Sequence, residues 1–233
     1  MNETHEDAQA SDVGTAGSKA QDFLDANMVG VEQVLRDQMQ EKYKDREVPD
    51  WAEEFMQDRL VAERRFAEAV ITAFERWSSE ENVIVLWDID NTIGSYDLSS
   101  DEEVWSFRPI WHPLMQYLQT NFPSIKNGVM SNRTIVNEQL QDPKMLGPIS
   151  GFIDANNIFS SRELEVSEEQ QHSIEEEVLA DLEEYPNQDH YQKVTLMRSL
   201  RASGLNVKLV DDNLAAATMK QDGVCAHEFM AVS

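Results

Sequence analysis

The sequence predicts an α/β fold, in which a Rossmann-like parallel sheet carries helices on both faces and is preceded by an N-terminal helical hairpin. Two observations predict it. From residue 83 onward, short apolar runs typical of buried parallel strands alternate with helical patterns. Before that point, apolar residues recur only at helical spacing, which indicates two successive helices. The 233 residues are enough for one domain of this kind with an extension.

The N-terminal third divides into a tail and a helical extension. Residues 1–20 are polar and acidic, lack a signal-peptide pattern and predict a disordered tail. Residues 21–80 form the extension, whose first helix presents one apolar face: Leu24, Met28, Val31, Leu35 and Met39. A second helix, running to about residue 78, presents another: Trp51, Phe55, Phe66, Val70, Ala73, Phe74 and Trp77. The break at Val48-Pro49-Asp50 separates them, so a hairpin is expected.

Residues 81–233 are predicted to form the domain that carries the chemistry. Its first strand is the apolar run 83–87, and further strands are predicted at 128–130, 151–153 with 158–159, 207–210 and 223–226. Helices are predicted at 113–120, 134–140 and 192–202. A small insertion at 163–187 contains ten acidic residues and no Lys or Arg, and is interpreted as an amphipathic helix on the rim, solvated rather than docked to a partner.

Charge and composition exclude several classes of partner. With 44 acidic against 19 basic residues, the formal charge of -25 repels nucleic acid and anionic membranes. No apolar run approaches the roughly 18 residues of a membrane span. The single cysteine, Cys225, is interpreted as a small core residue. A soluble, cytoplasmic protein is expected, with the N-terminal helices open to a protein partner or to homo-oligomerisation.

The segment after the first strand contains the sharpest chemical pattern. Asp88 and Asp90 alternate with an apolar residue, and Thr92 follows. Both carboxylates can therefore face the crevice at the carboxyl end of a parallel sheet. One carboxylate can attack phosphorus while the other transfers protons. The alternative, that both acids only cap the loop, is costly directly after an apolar strand.

This strand-D-x-D-x-T pattern resembles the first motif of the haloacid dehalogenase superfamily. The resemblance implies that Asp88 is the nucleophile and Asp90 the acid/base. It also implies a phosphate site formed by Thr92, by Ser131 at the end of the next core strand, and by the adjoining Asn132. A lysine near the start of a helix would complete the site, and Lys193 is the best match among several lysines: Lys126, Lys208 and Lys220 are the others.

The fourth motif is an acidic pair after an apolar strand, and Asp211-Asp212 supplies it. The resemblance implies that this pair binds Mg²⁺ together with Asp88 and the backbone carbonyl of Asp90, with Asp212 favoured as the direct ligand. Further polar residues adjoin the motifs and could either reach substrate or serve the turns: Asn91, Arg133 and Asn213.

The resemblance therefore implies a nearly capless Mg²⁺-dependent phosphatase that hydrolyses a phosphomonoester through an aspartyl-phosphate. An acid at Asp90 favours phosphoryl chemistry over carbon–halogen cleavage. Only a flap-like segment at 95–108 and the acidic insertion could cover the site, so a bulky or macromolecular substrate, or closure by another subunit, is expected. Two alternatives stay open: a non-catalytic, regulatory binding module of the same fold, and a phosphotransferase or mutase.

Overall fold

The computed structural model describes residues 13–45, 47–97, 104–133, 138, 147–162, 164–179 and 186–229. The helices are α1 (Val13–Lys42), α2 (Ala52–Trp77), α3 (Trp111–Asn121), α4 (Glu168–Leu179), α5 (Gln188–Ala202) and α6 (Leu214–Thr218). The strands are β1 (Val83–Trp87), β2 (Gly94–Asp97), β3 (Val104–Phe107), β4 (Lys126–Ser131), β5 (Ile158–Ser160), β6 (Asn206–Asp211) and β7 (Gly223–Cys225). Short 3₁₀ helices lie at Gly147–Phe152, Lys220–Asp222 and Ala226–Phe229.

Five of the strands form one parallel sheet in the order β5-β4-β1-β6-β7. This arrangement confirms the predicted α/β class. The two remaining strands, β2 and β3, pair with each other in antiparallel fashion and form the flap, residues 94–107. The flap occupies the segment predicted to fold over the site, and residues 98–103 lie outside the described residues.

Alternate residues of β1 pack into two different core clusters. Val83, Val85 and Trp87 join the cluster that contains the apolar residues of α1, α2 and α3. Ile84 and Leu86 join the cluster formed with α4, α5 and α6. Side chains alternate between the two faces of a strand, so the two clusters lie on opposite faces of β1. Helices therefore cover both faces, which explains why the β1 sequence is apolar throughout.

The helices α1 and α2 contact each other in antiparallel order. Arg64 lies 2.8 Å from Asp25, and Arg36 lies 3.2 Å from Glu53, so the start of one helix meets the end of the other. These ion pairs are largely exposed and contribute little; the apolar faces supply most of the stabilisation. Those faces belong to the same core cluster as residues of the sheet. Within the described residues, the N-terminal extension and the sheet therefore share a core.

Several local predictions need correction. The helix α1 begins at Val13, inside the predicted tail, because lengthening an existing helix is cheap. The segment 151–153 forms the end of a 3₁₀ helix rather than a strand, since only Ile158–Ser160 pairs with β4. Trp51, predicted on the apolar face, is 54% exposed at the start of α2.

Other predictions fall partly outside the described residues. These are the tail before residue 13 and the helix at 134–140, of which Glu138 alone is described, as helical. In the acidic insertion, Ile174 of α4 is fully buried while Glu176 and Glu177 are exposed, which matches an amphipathic helix. Among the described helices, none combines the length and hydropathy of a membrane span.

Candidate active site

Three neighbouring strands deliver polar residues to the same edge of the sheet. Asp88 directly follows β1, while Ser131 and Asp211 are the last residues of β4 and β6. These strands are adjacent, and the Asp88 amide donates a hydrogen bond to Val210 O (2.9 Å), which extends the ladder by one residue. The carboxyl ends of parallel strands are where α/β folds bind ligands.

The chain turns sharply after β1. Asn91 has a φ of 57°, a left-handed conformation that asparagine tolerates better than most residues. The turn is closed by a hydrogen bond from Asn91 N to Gly94 O (2.7 Å). A Cβ on Gly94 would lie 2.4 Å from Ser106 O, so only glycine lets the flap pair at this point. Thr92 is fully buried inside the turn, and its hydroxyl has no hydrogen-bond partner among the described residues; its role as a phosphate ligand stays a prediction.

Three aspartates and one lysine form a compact cluster. Carboxylate oxygens of Asp88, Asp211 and Asp212 lie within 4.8 Å of one another. The Lys193 ammonium, which α5 brings to this point, lies 3.0 Å from Asp88 Oδ1 and 2.8 Å from Asp211 Oδ2. The structure therefore brings together the first, third and fourth sets of residues predicted from sequence.

The cluster holds more negative than positive charge. Burial and the charge of Asp211 raise the pKa of Asp88 well above its ordinary value, although the Lys193 ammonium opposes this. Burial, followed by the charge of Asp211, also raises the pKa of Asp212. Burial alone would lower the pKa of Lys193, but the charges of Asp211 and Asp88 raise it above its usual range. Three carboxylates face one ammonium, so the donor set and charge fit a hard divalent cation.

Asp212 is the more accessible member of the acidic pair. Asp211 is fully buried, and its Oδ1 accepts hydrogen bonds from Lys193 Nζ (3.0 Å) and the Asn213 amide (2.8 Å). Asp212 accepts one from Asn91 Nδ2 (2.9 Å). Asp211 is thus held in place by its neighbours, while Asp212 keeps oxygen capacity for a ligand.

Asp90 lies apart from the three clustered carboxylates. Its side chain pairs with Arg133, whose Nε is 2.8 Å from Oδ2 and whose Nη2 contacts Oδ1. The Arg133 guanidinium also lies 5.4 Å from the centre of the Trp105 ring in the flap. Sequence reasoning left the role of Arg133 open, and its position two residues after Ser131 was the only signal available.

The residues around Ser131 have local partners. Ser131 is buried, and its hydroxyl accepts a hydrogen bond from the Arg133 amide (3.2 Å). Asn132 donates from its side chain to Asp189 of α5. Asn213 caps α6 by accepting from the Ala215 amide (3.2 Å), so it serves the turn.

Among the candidate lysines, Lys193 is the one that reaches the carboxylate cluster. Lys208 is also buried, but it pairs with Glu80 (2.6 Å) and Asp222 (2.7 Å). Lys126 is exposed at the start of β4, at the opposite end of that strand from Ser131. The position of Lys193 on α5, and not the presence of a lysine alone, therefore distinguishes it from the other candidates.

Chemically, the arrangement can hold a divalent cation beside a buried carboxylate and a second carboxylate two residues away. Such a set can transfer a group between an oxygen nucleophile and water. No model of a known protein family matches the chain, and neither the curated proteins nor the solved structures compared with it include a significant match.

Proposed function

We propose that this protein is a Mg²⁺-dependent phosphatase with a fold like that of the haloacid dehalogenase superfamily, preceded by a helical hairpin. It would hydrolyse a phosphomonoester through an aspartyl-phosphate on Asp88. The observation that supports this best is the cluster at three adjacent strand ends, where Asp88, Asp211 and Asp212 face a single ammonium, that of Lys193.

In the first half-reaction, an oxygen of Asp88 attacks the phosphorus of the bound ester. The bond between phosphorus and the ester oxygen breaks, and the departing oxygen takes a proton from the carboxylic acid of Asp90. Lys193, 3.0 Å from Asp88, fixes the nucleophile and offsets its charge. The products are a free alcohol and a phosphorylated Asp88.

In the second half-reaction, the Asp90 carboxylate removes a proton from water as the water oxygen attacks phosphorus. The bond between phosphorus and Asp88 breaks, which restores the carboxylate and releases inorganic phosphate. Asp90 regains its proton in this step. Arg133, which holds both Asp90 oxygens, would orient that carboxyl group toward the bound phosphoester.

The residues that would hold the cation are Asp88, Asp212 and the backbone carbonyl of Asp90, with Asp211 supporting them. A cation held by these residues would neutralise the phosphate oxygens and stabilise charge that develops on them. The phosphate itself would meet Ser131 and Lys193, with Asn132 and Thr92 as further predicted contacts. Within the part of the chain that the structure describes, the flap and the acidic helix α4 are the candidates to cover the site, and we propose a nearly capless member.

The proposal is tested by turnover of p-nitrophenyl phosphate with Mg²⁺. Replacing Asp88 with Asn removes the nucleophile and is expected to lower kcat by on the order of 10³-fold or more. The matched control is Asp58→Asn, which makes the same chemical change at an exposed position of α2 and should leave kcat unchanged.

Two other outcomes would favour other functions. Wild-type protein that is no faster than Asp88→Asn, whatever the metal and pH, would contradict a phosphatase and favour a non-catalytic, regulatory module. Transfer of phosphate to a sugar hydroxyl instead of water, detected by product analysis, would favour a phosphotransferase or mutase.

A further inference from the structure

A cavity of about 230 Å³ opens beside the carboxylate cluster, between α2, the turn after β1 and the flap. Asn91 lines it and donates a hydrogen bond to Asp212 (2.9 Å), so the cavity adjoins the proposed metal site. Pockets for complete drug-sized ligands measure roughly 300–1,000 Å³. This cavity therefore suits one chemical group of a ligand rather than a whole ligand.

Two arginines and one carboxylate line the cavity. Arg108, from the residue after β3, lies 3.2 Å from Glu63 of α2, and both side chains are more than nine-tenths buried. Arg59, one turn earlier on α2, forms no hydrogen bond or ion pair with any residue that the structure describes. The lining thus has one more positive than negative charge, in a chain whose formal charge is -25.

The Arg108 guanidinium is held rigidly, yet it retains an unused donor. It lies over the Phe66 ring at 4.0 Å from the centroid and also forms the ion pair with Glu63. Its Nη1 is buried and has no hydrogen-bond partner in the described part of the chain. A buried donor without an acceptor is costly, so the Arg108 guanidinium has hydrogen-bonding capacity that Glu63 does not use.

Electrostatics link the cavity to the carboxylate cluster. Burial is the main factor that lowers the pKa of Arg108, and the nearby charge of Arg59 adds to the lowering. The charges of Glu63 and of Asp212 act in the opposite direction, so Asp212 is near enough to influence the pKa of this guanidinium. Because Asn91 both lines the cavity and donates to Asp212, a substrate can span both places without a long linker.

Three aromatic side chains also line the cavity: Phe55, Phe107 and Phe229. They limit water around the two guanidinium groups, and charged hydrogen bonds are stronger where water is excluded. The cavity thus combines two guanidinium groups with apolar side chains, which suits a carboxylate or phosphate on a short carbon chain.

We propose that this cavity binds a second anionic group of the substrate, a carboxylate or a phosphate, while the reacting phosphoester lies at Asp88. The placement of that phosphoester rests on the proposed function. The substrate class is then a small phosphoester with two anionic ends, not the macromolecule that an open site suggests. Helix α2 acquires a role in specificity, because Arg59 contacts the substrate from the segment that precedes β1.

The test is calorimetric binding of phosphonates, which are not hydrolysed and so report binding whether or not the protein is a phosphatase. With Mg²⁺ present, methylphosphonate is compared with probes that carry a second anionic group. In phosphonoacetate and phosphonopropionate this group is a carboxylate. In ethylene and propylene bisphosphonate it is a second phosphonate, which stands in for a phosphate. At least one probe with two anionic ends should bind roughly 10- to 100-fold more tightly than methylphosphonate.

The variant Arg59→Met should abolish that gain and leave the affinity for methylphosphonate unchanged. Arg65→Met, which removes the same charge from an exposed position of α2, should keep the gain. Equal binding of all probes by wild-type protein, or an undiminished gain in Arg59→Met, would overturn the proposal. Turnover of p-nitrophenyl phosphate by wild-type protein and by Asp88→Asn tests the phosphatase function separately, and Arg65→Met should retain the wild-type rate.

Discussion

Asp88 and Asp90 stand two positions apart but have different surroundings. Asp88 is 3% exposed and lies among Asp211, Asp212 and Lys193. The Asp90 side chain is 46% exposed and pairs with Arg133 instead. Two carboxyl groups in contrasting environments can perform different tasks, one as a fixed nucleophile and the other as a proton carrier. The division of roles that the resemblance implies stays a prediction.

Replacing Asp90 with Asn should slow turnover without abolishing Mg²⁺ binding. Proton transfer typically contributes 10²- to 10⁴-fold to a rate, so kcat with p-nitrophenyl phosphate should fall by roughly that factor. The side chain lies apart from the clustered carboxylates, so calorimetry should give a nearly unchanged Kd for Mg²⁺. An unaltered rate would remove Asp90 from the mechanism, and Asp58→Asn again serves as the control.

For individual residues, the order of the motifs in the sequence predicted the members of the carboxylate cluster. It did not predict the arginines that lie near the cluster. Asp88, Lys193 and the acidic pair were predicted from their order and from their position after apolar runs. Arg133 was left open because its partner, Asp90, lies 43 positions earlier in the chain. Arg59 and Arg108 were missed altogether, since neither belongs to a motif and only folding places them in one cavity.

Among the secondary-structure elements, α5 and α6 meet behind the carboxylate cluster at His190. This residue of α5 is 1% exposed, and its Nε2 lies 3.3 Å from the Thr218 hydroxyl at the end of α6. Burial lowers the pKa of His190 to about 4, although the charge of Asp211 opposes the shift. Sequence reasoning assigned no role to this histidine, and its surroundings are those of a neutral interhelical contact.

The contact between α5 and α6 should weaken in acid because of His190. Unfolded histidine binds a proton near pH 6.5, whereas the folded side chain resists protonation until about pH 4. The contribution of His190 to the free energy of unfolding is therefore fully present above pH 6.5. It is lost as the pH falls toward 4, by roughly 1 to 3 kcal/mol.

Urea unfolding of wild type and His190→Gln between pH 4.5 and 7.5 would measure this effect. Other groups contribute equally to both proteins, so the difference between their unfolding free energies should shrink as the pH falls. A difference that stays constant with pH would show that His190 does not titrate in this way.

For the whole molecule, charge is the dominant feature. The chain has a formal charge of -25, and its centre holds three carboxylates beside one ammonium. Self-repulsion on this scale destabilises a compact state, and repulsion is most severe where the charges are buried. A divalent cation at the cluster would relieve both, so folding and metal binding should be coupled.

Mg²⁺ should therefore raise the Tm, and removal of the metal with EDTA should reverse the change. At a concentration 100 times the Kd, binding contributes about 2.7 kcal/mol, or roughly 5 to 10 °C for a chain of this length. The measurement compares MgCl₂ with NaCl at equal ionic strength, since salt screens the overall charge in either case.

The variant Asp212→Asn identifies the site of this stabilisation. It removes one proposed ligand, so the difference in Tm between MgCl₂ and NaCl should largely disappear. Asp58→Asn, which removes one negative charge at an exposed position just as Asp212→Asn does at the cluster, should retain it. If Mg²⁺ raised the Tm of both variants equally, the stabilising ion would bind at a site other than the carboxylate cluster.

The sequence by itself determined the α/β class, the positions of the central strands and the acids that follow them. These features depend on local periodicity, and β1 is apolar throughout because helices cover both its faces. Only the tertiary structure decided that α1 and α2 share the core of the sheet, that Arg133 holds Asp90, and that Arg59 and Arg108 line one cavity. Such contacts join residues far apart in the chain, and their geometry depends on packing that no local pattern encodes.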